Sequence, residues 1–177
     1  MKFKHLTVLI FALVFTFAAE AQLKIAYTNL ELAMAYLPEV QNANTKVKTY
    51  QAQLEKQLKT KQNYFDLKYQ EYSEAAQQPG ASEESMAPLQ KELEKLQQEL
   101  QASVTNSENQ IIQKQAELME PILNKVQQEL QTIADEKGYD YVLNSASSGS
   151  SVILHGSESF NITEMLLERL GVEIPKD

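Results

Sequence analysis

Between Glu83 and Lys137 the apolar residues keep an 11-residue period. Leu89, Leu100, Ile111, Ile122 and Ile133 form one series, and Leu93, Val104 and Val126 form a second, interrupted by Gln115. Eleven residues in three turns is about 3.67 per turn, so the stripe runs nearly straight or winds slightly right-handed. The stretch Glu39–Ala76 contains no Gly or Pro and is dominated by Gln, Lys, Leu, Glu and Ala. Its apolar positions Val40, Val47, Leu54, Leu58, Phe65, Tyr69 and Tyr72 recur at spacings of three, four and seven. Both stretches read as long helices. They are separated by Gln77-Gln78-Pro79-Gly80-Ala81-Ser82, a turn signal followed by an N-cap serine and the acidic Glu83 and Glu84, and the second ends at Gly138. Each apolar stripe is about one residue per turn, enough to seal two helices together and too narrow to enclose a thick core. The pattern therefore predicts an antiparallel hairpin over residues 39–137, with its tip near 77–82 and arms roughly 55 to 80 Å long. Pro121 falls inside the second helix as a candidate hinge, since it removes a backbone donor. The alternative is that Pro121 opens a separate helix at its first position.

The flanking segments have a different texture. Leu23–Tyr27 alternates like a short strand, and Thr28-Asn29-Leu30-Glu31 fits a capping box opening a helix through Tyr36. After Gly138, Tyr139–Leu143 and Val152–Leu154 read as strands around a small polar loop, Asn144–Ser151. Phe160–Leu170 reads as an amphipathic helix with Asn161 as N-cap and Glu164 three residues on. Residues 22–38 and 138–177 should then meet in one α+β body, small and β-rich, from which the hairpin projects. With about 55 to 60 residues, such a body is marginal as a single core and gains from oligomerisation.

Residues 1–21 change the picture again. Lys2 and Lys4 precede an apolar run, Leu6–Ala19, too short for a membrane span of about 20 residues. Ala19-Glu20-Ala21 supplies small residues at a cleavage site, so the segment reads as a secretory signal peptide cut after Ala21. The chain of 177 residues has 16 Lys+Arg against 24 Asp+Glu, a net charge of −8, and no Cys. An acidic balance is the wrong sign for nucleic-acid binding. Without Cys there is no disulfide framework, thiolate nucleophile or Cys-ligated metal. His155 has no partner residues around it in sequence, Ser145–Ser151 lacks a nucleophile frame, and no phosphate-cradling Gly motif occurs. No catalytic, metal or cofactor-binding residue is expected.

The residues as ordered resemble the Skp/OmpH family of periplasmic chaperones. The resemblance runs through KIAYTN (Lys24–Asn29), LELAMAYLPEVQNA, the Gln/Lys/Glu-rich hairpin, GYDYVLN (Gly138–Asn144), the VIL segment, and FNITEMLLERL with Asn161-Ile162-Thr163 before the last helix. It implies a homotrimer in which three bodies share a β-core and three arms hang as tentacles around a cavity. That cavity would hold unfolded outer-membrane proteins in the periplasm of a Gram-negative bacterium, without ATP or cofactor. The chain departs from the family in charge: its best-known members are strongly basic. Lipopolysaccharide binding, and capture that depends on net positive charge, are therefore not carried over.

A holdase needs scattered apolar contacts on a mobile surface. Tyr50, Tyr64, Phe65, Tyr69 and Tyr72 concentrate aromatics on the first arm and are candidate client contacts. Equally, they could pack on Leu89, Leu93 and Leu96 of the returning arm. Lys46, Lys48, Lys56, Lys59 and Lys61 oppose only Glu55 in their stretch. They read either as a solvated face with help from a Glu55–Lys59 pair, or as a patch attracting acidic clients or lipid headgroups. A periplasmic scaffold or envelope-assembly adaptor that binds folded partners is the alternative to the chaperone.

Overall fold

A computed structural model describes residues 23–147 and 149–172. The expected leader and its cleavage point after Ala21 lie outside the described residues. The elements in chain order are β1 (Ile25–Thr28), α1 (Leu30–Tyr36), α2 (Pro38–Ala76), α3 (Glu83–Lys137), β2 (Tyr141–Asn144), β3 (Ala146–Ser147), β4 (Ser150–Ser151), a 3-10 turn (Glu158–Phe160) and α4 (Thr163–Arg169).

The two long helices are bounded by local chemistry. Pro38 occupies the first turn of α2, where its missing N–H costs nothing. Ser82 caps α3 through its hydroxyl, which accepts from the Ser85 N–H, and the Ser85 hydroxyl accepts from the Ser82 N–H in return. At the other end Gly138 adopts φ 64°, ψ 42°, a left-handed conformation that stops the helix. α3 runs unbroken for 55 residues through both Pro88 and Pro121, so Pro121 does not open a separate helix. Four polar contacts join the arms: Glu39–Lys125, Tyr50–Gln110, Lys61–Ser103 and Lys68–Glu92. As the first partner advances along α2 the second retreats along α3, which makes the pair an antiparallel hairpin.

β1 and β2 pair in parallel, Ile25 opposite Tyr141 through Thr28 opposite Asn144. The other edge of β1 takes a single bridge from Tyr27 to Asn161. Chain segments more than a hundred residues apart are thus joined at the root of the hairpin. Lys24 reinforces the junction: its backbone N–H donates to the Asp140 carboxylate at 2.7 Å, and its ammonium donates to the Lys137 carbonyl at 2.6 Å. That carbonyl is one of the last in α3, where the helix leaves acceptors unsatisfied and favours a cation.

Thr163 closes the C-terminal segment onto the N-terminal one. Its hydroxyl donates to Asn161 Oδ1 at 2.7 Å and accepts from the Asn29 N–H at 2.9 Å and the Thr28 hydroxyl at 3.3 Å. One donor and two acceptor sites are all a hydroxyl has.

Several local expectations are corrected. Val152–Leu154 is not a strand: the Val152 and Ile153 N–H groups both donate to the Ser145 carbonyl, and the short hairpin β3–β4 forms inside the segment expected as a loop. Asn29 alone caps α1, accepting from the Leu32 N–H, while Glu31 reaches the Gly149 N–H instead of its own helix start. Phe160 lies in the 3-10 turn, and α4 begins only at Thr163, with Asn161 accepting from its N–H. The body is also poorer in strand than expected, with strands of four, four, two and two residues.

The core sits where the body meets the hairpin root. Ala26, Ala33, Leu37, Ala43, Ile122, Val126, Ile133, Ile162, Leu166, Leu167 and Leu170 form one buried cluster. Farther out the seam holds Leu54 and Ser107, and between those two positions no described residue is buried. A two-helix seam shields side chains from one direction only, so burial falls as the body's cover is left behind.

Candidate functional site

The arm aromatics divide by their place on the helix. Tyr50 is half-buried, its hydroxyl donating to Gln110 Oε1 at 2.7 Å. Phe65 and Tyr72, on the seam side, are half-buried as well. Tyr64 and Tyr69 are exposed at 47% and 58% of their surface. Phe65 and Tyr69 stack with ring centroids 6.5 Å apart, and the Lys68 ammonium lies 5.9 Å from the Tyr64 ring. Lys68 is itself held by Glu71, whose hydrogen bond raises the ammonium pKa above its ordinary value. Leu67, which the sequence reading passed over, is 53% exposed beside these rings.

Lys46, Lys48, Lys56, Lys59 and Lys61 are all exposed. Lys61 donates to Ser103 Oγ at 2.6 Å across the seam. The expected Glu55–Lys59 pair is replaced by a bond from Gln51 Nε2 to Glu55 Oε1. Pro121 is exposed on α3, one residue before the buried Ile122. His155 is exposed, and among the described residues no cluster of His, Asp and Glu has metal-ligand geometry.

Two further groups of exposed apolar side chains went unread. On the body, Ile25, Tyr141 and Leu143 share one face of the β1–β2 pair at 39%, 56% and 46% exposure, and Leu154, in the segment after β4, is 91% exposed. β2 pairs on one side only among the described residues. On α3, Ile112 is 65% exposed and Leu123 46%. The sequence did carry a signal for these two: Ile111-Ile112, Leu118-Met119 and Ile122-Leu123 are apolar doublets. Neighbours on a helix lie about 100° apart, so when the first member faces the seam the second cannot.

The clefts are open grooves. One of about 360 Å³ lies in the seam among Leu58, Gln62, Phe65, Leu100, Gln101 and Val104. Another of about 500 Å³ lies between the root of α3 and β2, among Leu130, Ala134, Tyr139, Val142 and Leu143. This is an arrangement for distributed, shallow contact and not for enclosing a small molecule.

The family described as outer membrane protein (OmpH-like) matches residues 24–170. No curated protein sequence gives a significant match. Among solved structures, a candidate outer membrane chaperone (OmpH-like) from Caulobacter crescentus CB15 superposes with a TM-score of 0.68. It is 9% identical in sequence, and the match covers 86% of each chain. At that identity the likeness is one of fold.

Proposed function

The chain belongs to the OmpH-like family, and on that premise we propose that it is an ATP-independent periplasmic holdase for unfolded outer-membrane proteins. The observation that carries the reading is the hairpin itself. Beyond Leu54 and Ser107 its seam buries nothing, and it presents Tyr64, Leu67 and Tyr69 to solvent. Side chains of this kind, spaced along a thinly packed support, suit weak and repeated contact with many apolar sequences. Tyr50, Phe65 and Tyr72 serve the seam, so Tyr64 and Tyr69 are the stronger of the aromatic candidates. The five lysines add attraction for acidic client segments, and lipopolysaccharide is not among the proposed ligands.

The working state in this proposal is a homotrimer. The exposed face of Ile25, Tyr141 and Leu143 and the unpaired edge of β2 supply the surface for joining the bodies. Export is through the leader, with cleavage after Ala21. Pro121 acts as the point at which an arm bends.

The test is to dilute a urea-unfolded outer-membrane β-barrel protein into buffer with and without the purified mature chain and follow light scattering. Suppressed aggregation near one trimer per client supports the holdase. Unchanged aggregation, together with tight binding to a folded envelope component, would replace it with a scaffold. A solution mass of one chain would remove the trimer.

A further inference from the structure

Cleavage after Ala21 makes a glutamine, Gln22, the first residue of the exported chain. Glutamine at a free N-terminus carries a nucleophile and an electrophile on one residue. Cα, Cβ and Cγ separate its α-nitrogen from its amide carbon Cδ, so attack of one on the other closes a five-membered ring. The α-amine is the most easily deprotonated of the protein amines, and near neutral pH a working fraction of it carries a free lone pair. Because both groups belong to one residue, the step is intramolecular and escapes the entropic cost of an encounter. The α-nitrogen forms a bond to Cδ, the Cδ–Nε2 bond breaks, and Nε2 leaves as ammonia with the one proton that the neutral α-nitrogen gives up. No oxidant, reductant or cofactor is required.

The fold gives this terminus a consequence. Leu23, the first described residue, is 56% exposed, and the β1–β2 ladder starts only at Ile25. Lys24 stands between them. Its backbone N–H donates to the Asp140 carboxylate at 2.7 Å, its ammonium donates to the Lys137 carbonyl at 2.6 Å, and the same ammonium lies 4.7 Å from the centroid of the Tyr139 ring. The clasp between the N-terminal segment and the end of α3 therefore hangs on one residue, and that residue follows Gln22 and Leu23 directly. An exopeptidase working inward from a free α-amine reaches it after removing those two.

We propose that Gln22 is a modification site: after export it cyclises to pyroglutamate, and the resulting lactam, which has no α-ammonium for an aminopeptidase to hold, guards the Lys24 clasp. The loss of a terminal charge is the electrostatic signature of the change. The inference rests on the cleavage after Ala21 proposed above and is independent of the holdase reading.

The full chain, leader included, is expressed in a Gram-negative bacterium, recovered from its periplasm and weighed by intact mass spectrometry, at once and after several days at neutral pH. The expected mass is one ammonia below that of the chain starting at Gln22, with conversion complete in the incubated sample. Gln22→Asn, whose ring would have four members and does not close, should keep its full mass. Under a broad-specificity aminopeptidase the parent should retain its N-terminus, whereas Gln22→Asn should be shortened through Lys24 and its urea midpoint should fall. A chain that starts at Gln22 and keeps its ammonia throughout overturns the cyclisation and leaves export intact. A chain that starts at another residue overturns the cleavage site, and the cyclisation with it. A cyclised parent that is nonetheless shortened, or an asparagine variant that the enzyme leaves whole, overturns the guarding role.

Discussion

Replacing Thr163 with valine should unfasten the two ends of the body from each other. Valine keeps the branched shape of threonine, so the packing of this 5%-exposed side chain against its neighbours is preserved and only the hydroxyl is lost. That hydroxyl accepts from the Asn29 N–H and from the Thr28 hydroxyl, itself 2% exposed, and donates to Asn161 Oδ1. Asn161 Oδ1 still receives the Thr163 N–H. Asn29 N–H and the Thr28 hydroxyl are left without their acceptor, and an orphaned buried donor costs about 1–3 kcal/mol. The expected loss is about 2–4 kcal/mol, a large part of the stability of an ordinary domain. The assay is urea unfolding followed by circular dichroism, at one fixed protein concentration so that association is held constant. Thr163→Ser, which keeps the hydroxyl, should recover most of the loss. A valine variant within 0.5 kcal/mol of the parent would show that the hydroxyl is not the fastening, whatever the distances.

Leu54→Ala removes the last fully covered apolar side chain of the outer seam and should cost about 2–4 kcal/mol. Hydrogen exchange should speed up beyond residue 54 and before residue 107 while β1 and β2 stay protected; uniform acceleration would contradict the graded seam. Pro121→Ala restores a backbone donor toward Glu117 within a continuous helix. It should raise stability by about 1–3 kcal/mol in thermal unfolding, and a lowered Tm would mean that the proline is required for the native course of α3. Glu39 accepts a hydrogen bond from Lys125 at 2.8 Å, which holds its carboxyl below the ordinary glutamate value. A depressed native pKa contributes stability above the unfolded pKa, and the contribution disappears as pH falls through the native one. Both groups are nearly half exposed, so Glu39→Gln should cost no more than about 0.5 kcal/mol at pH 7. The parent and variant should converge as the pH falls through the native Glu39 value, and a difference that grows on acidification would reverse the sign of the argument.

How much of the fold was legible depends on how local each signal is. Both long helices, their Pro-Gly tip, the Ser82 cap and the stop at Gly138 are written in residues that act on their immediate neighbours. The misread parts depend on remote partners. Val152–Leu154 has the composition of a strand, yet its N–H groups turn back to Ser145. Glu31 sits where a capping box would use it, yet it reaches Gly149. The same division runs through the candidate site. The aromatics of α2 could be named from sequence, but which of them face solvent depends on where α3 lies against them.

The sequence by itself determined that this chain makes long helices folded at residues 77–82, because helical periodicity, capping and a Pro-Gly turn are physics of a few residues each. It also determined the chemical exclusions, since a residue type that is missing cannot act. Only the tertiary structure decided that β1 lies parallel to β2, that Thr163 fastens the ends, and that burial stops near Leu54 and Ser107. It alone set Glu39 against Lys125, Tyr50 against Gln110, Lys61 against Ser103 and Lys68 against Glu92. A side chain's exposure is fixed by what is packed over it, and for two antiparallel helices that depends on their relative rotation. No single stretch of the chain contains that rotation.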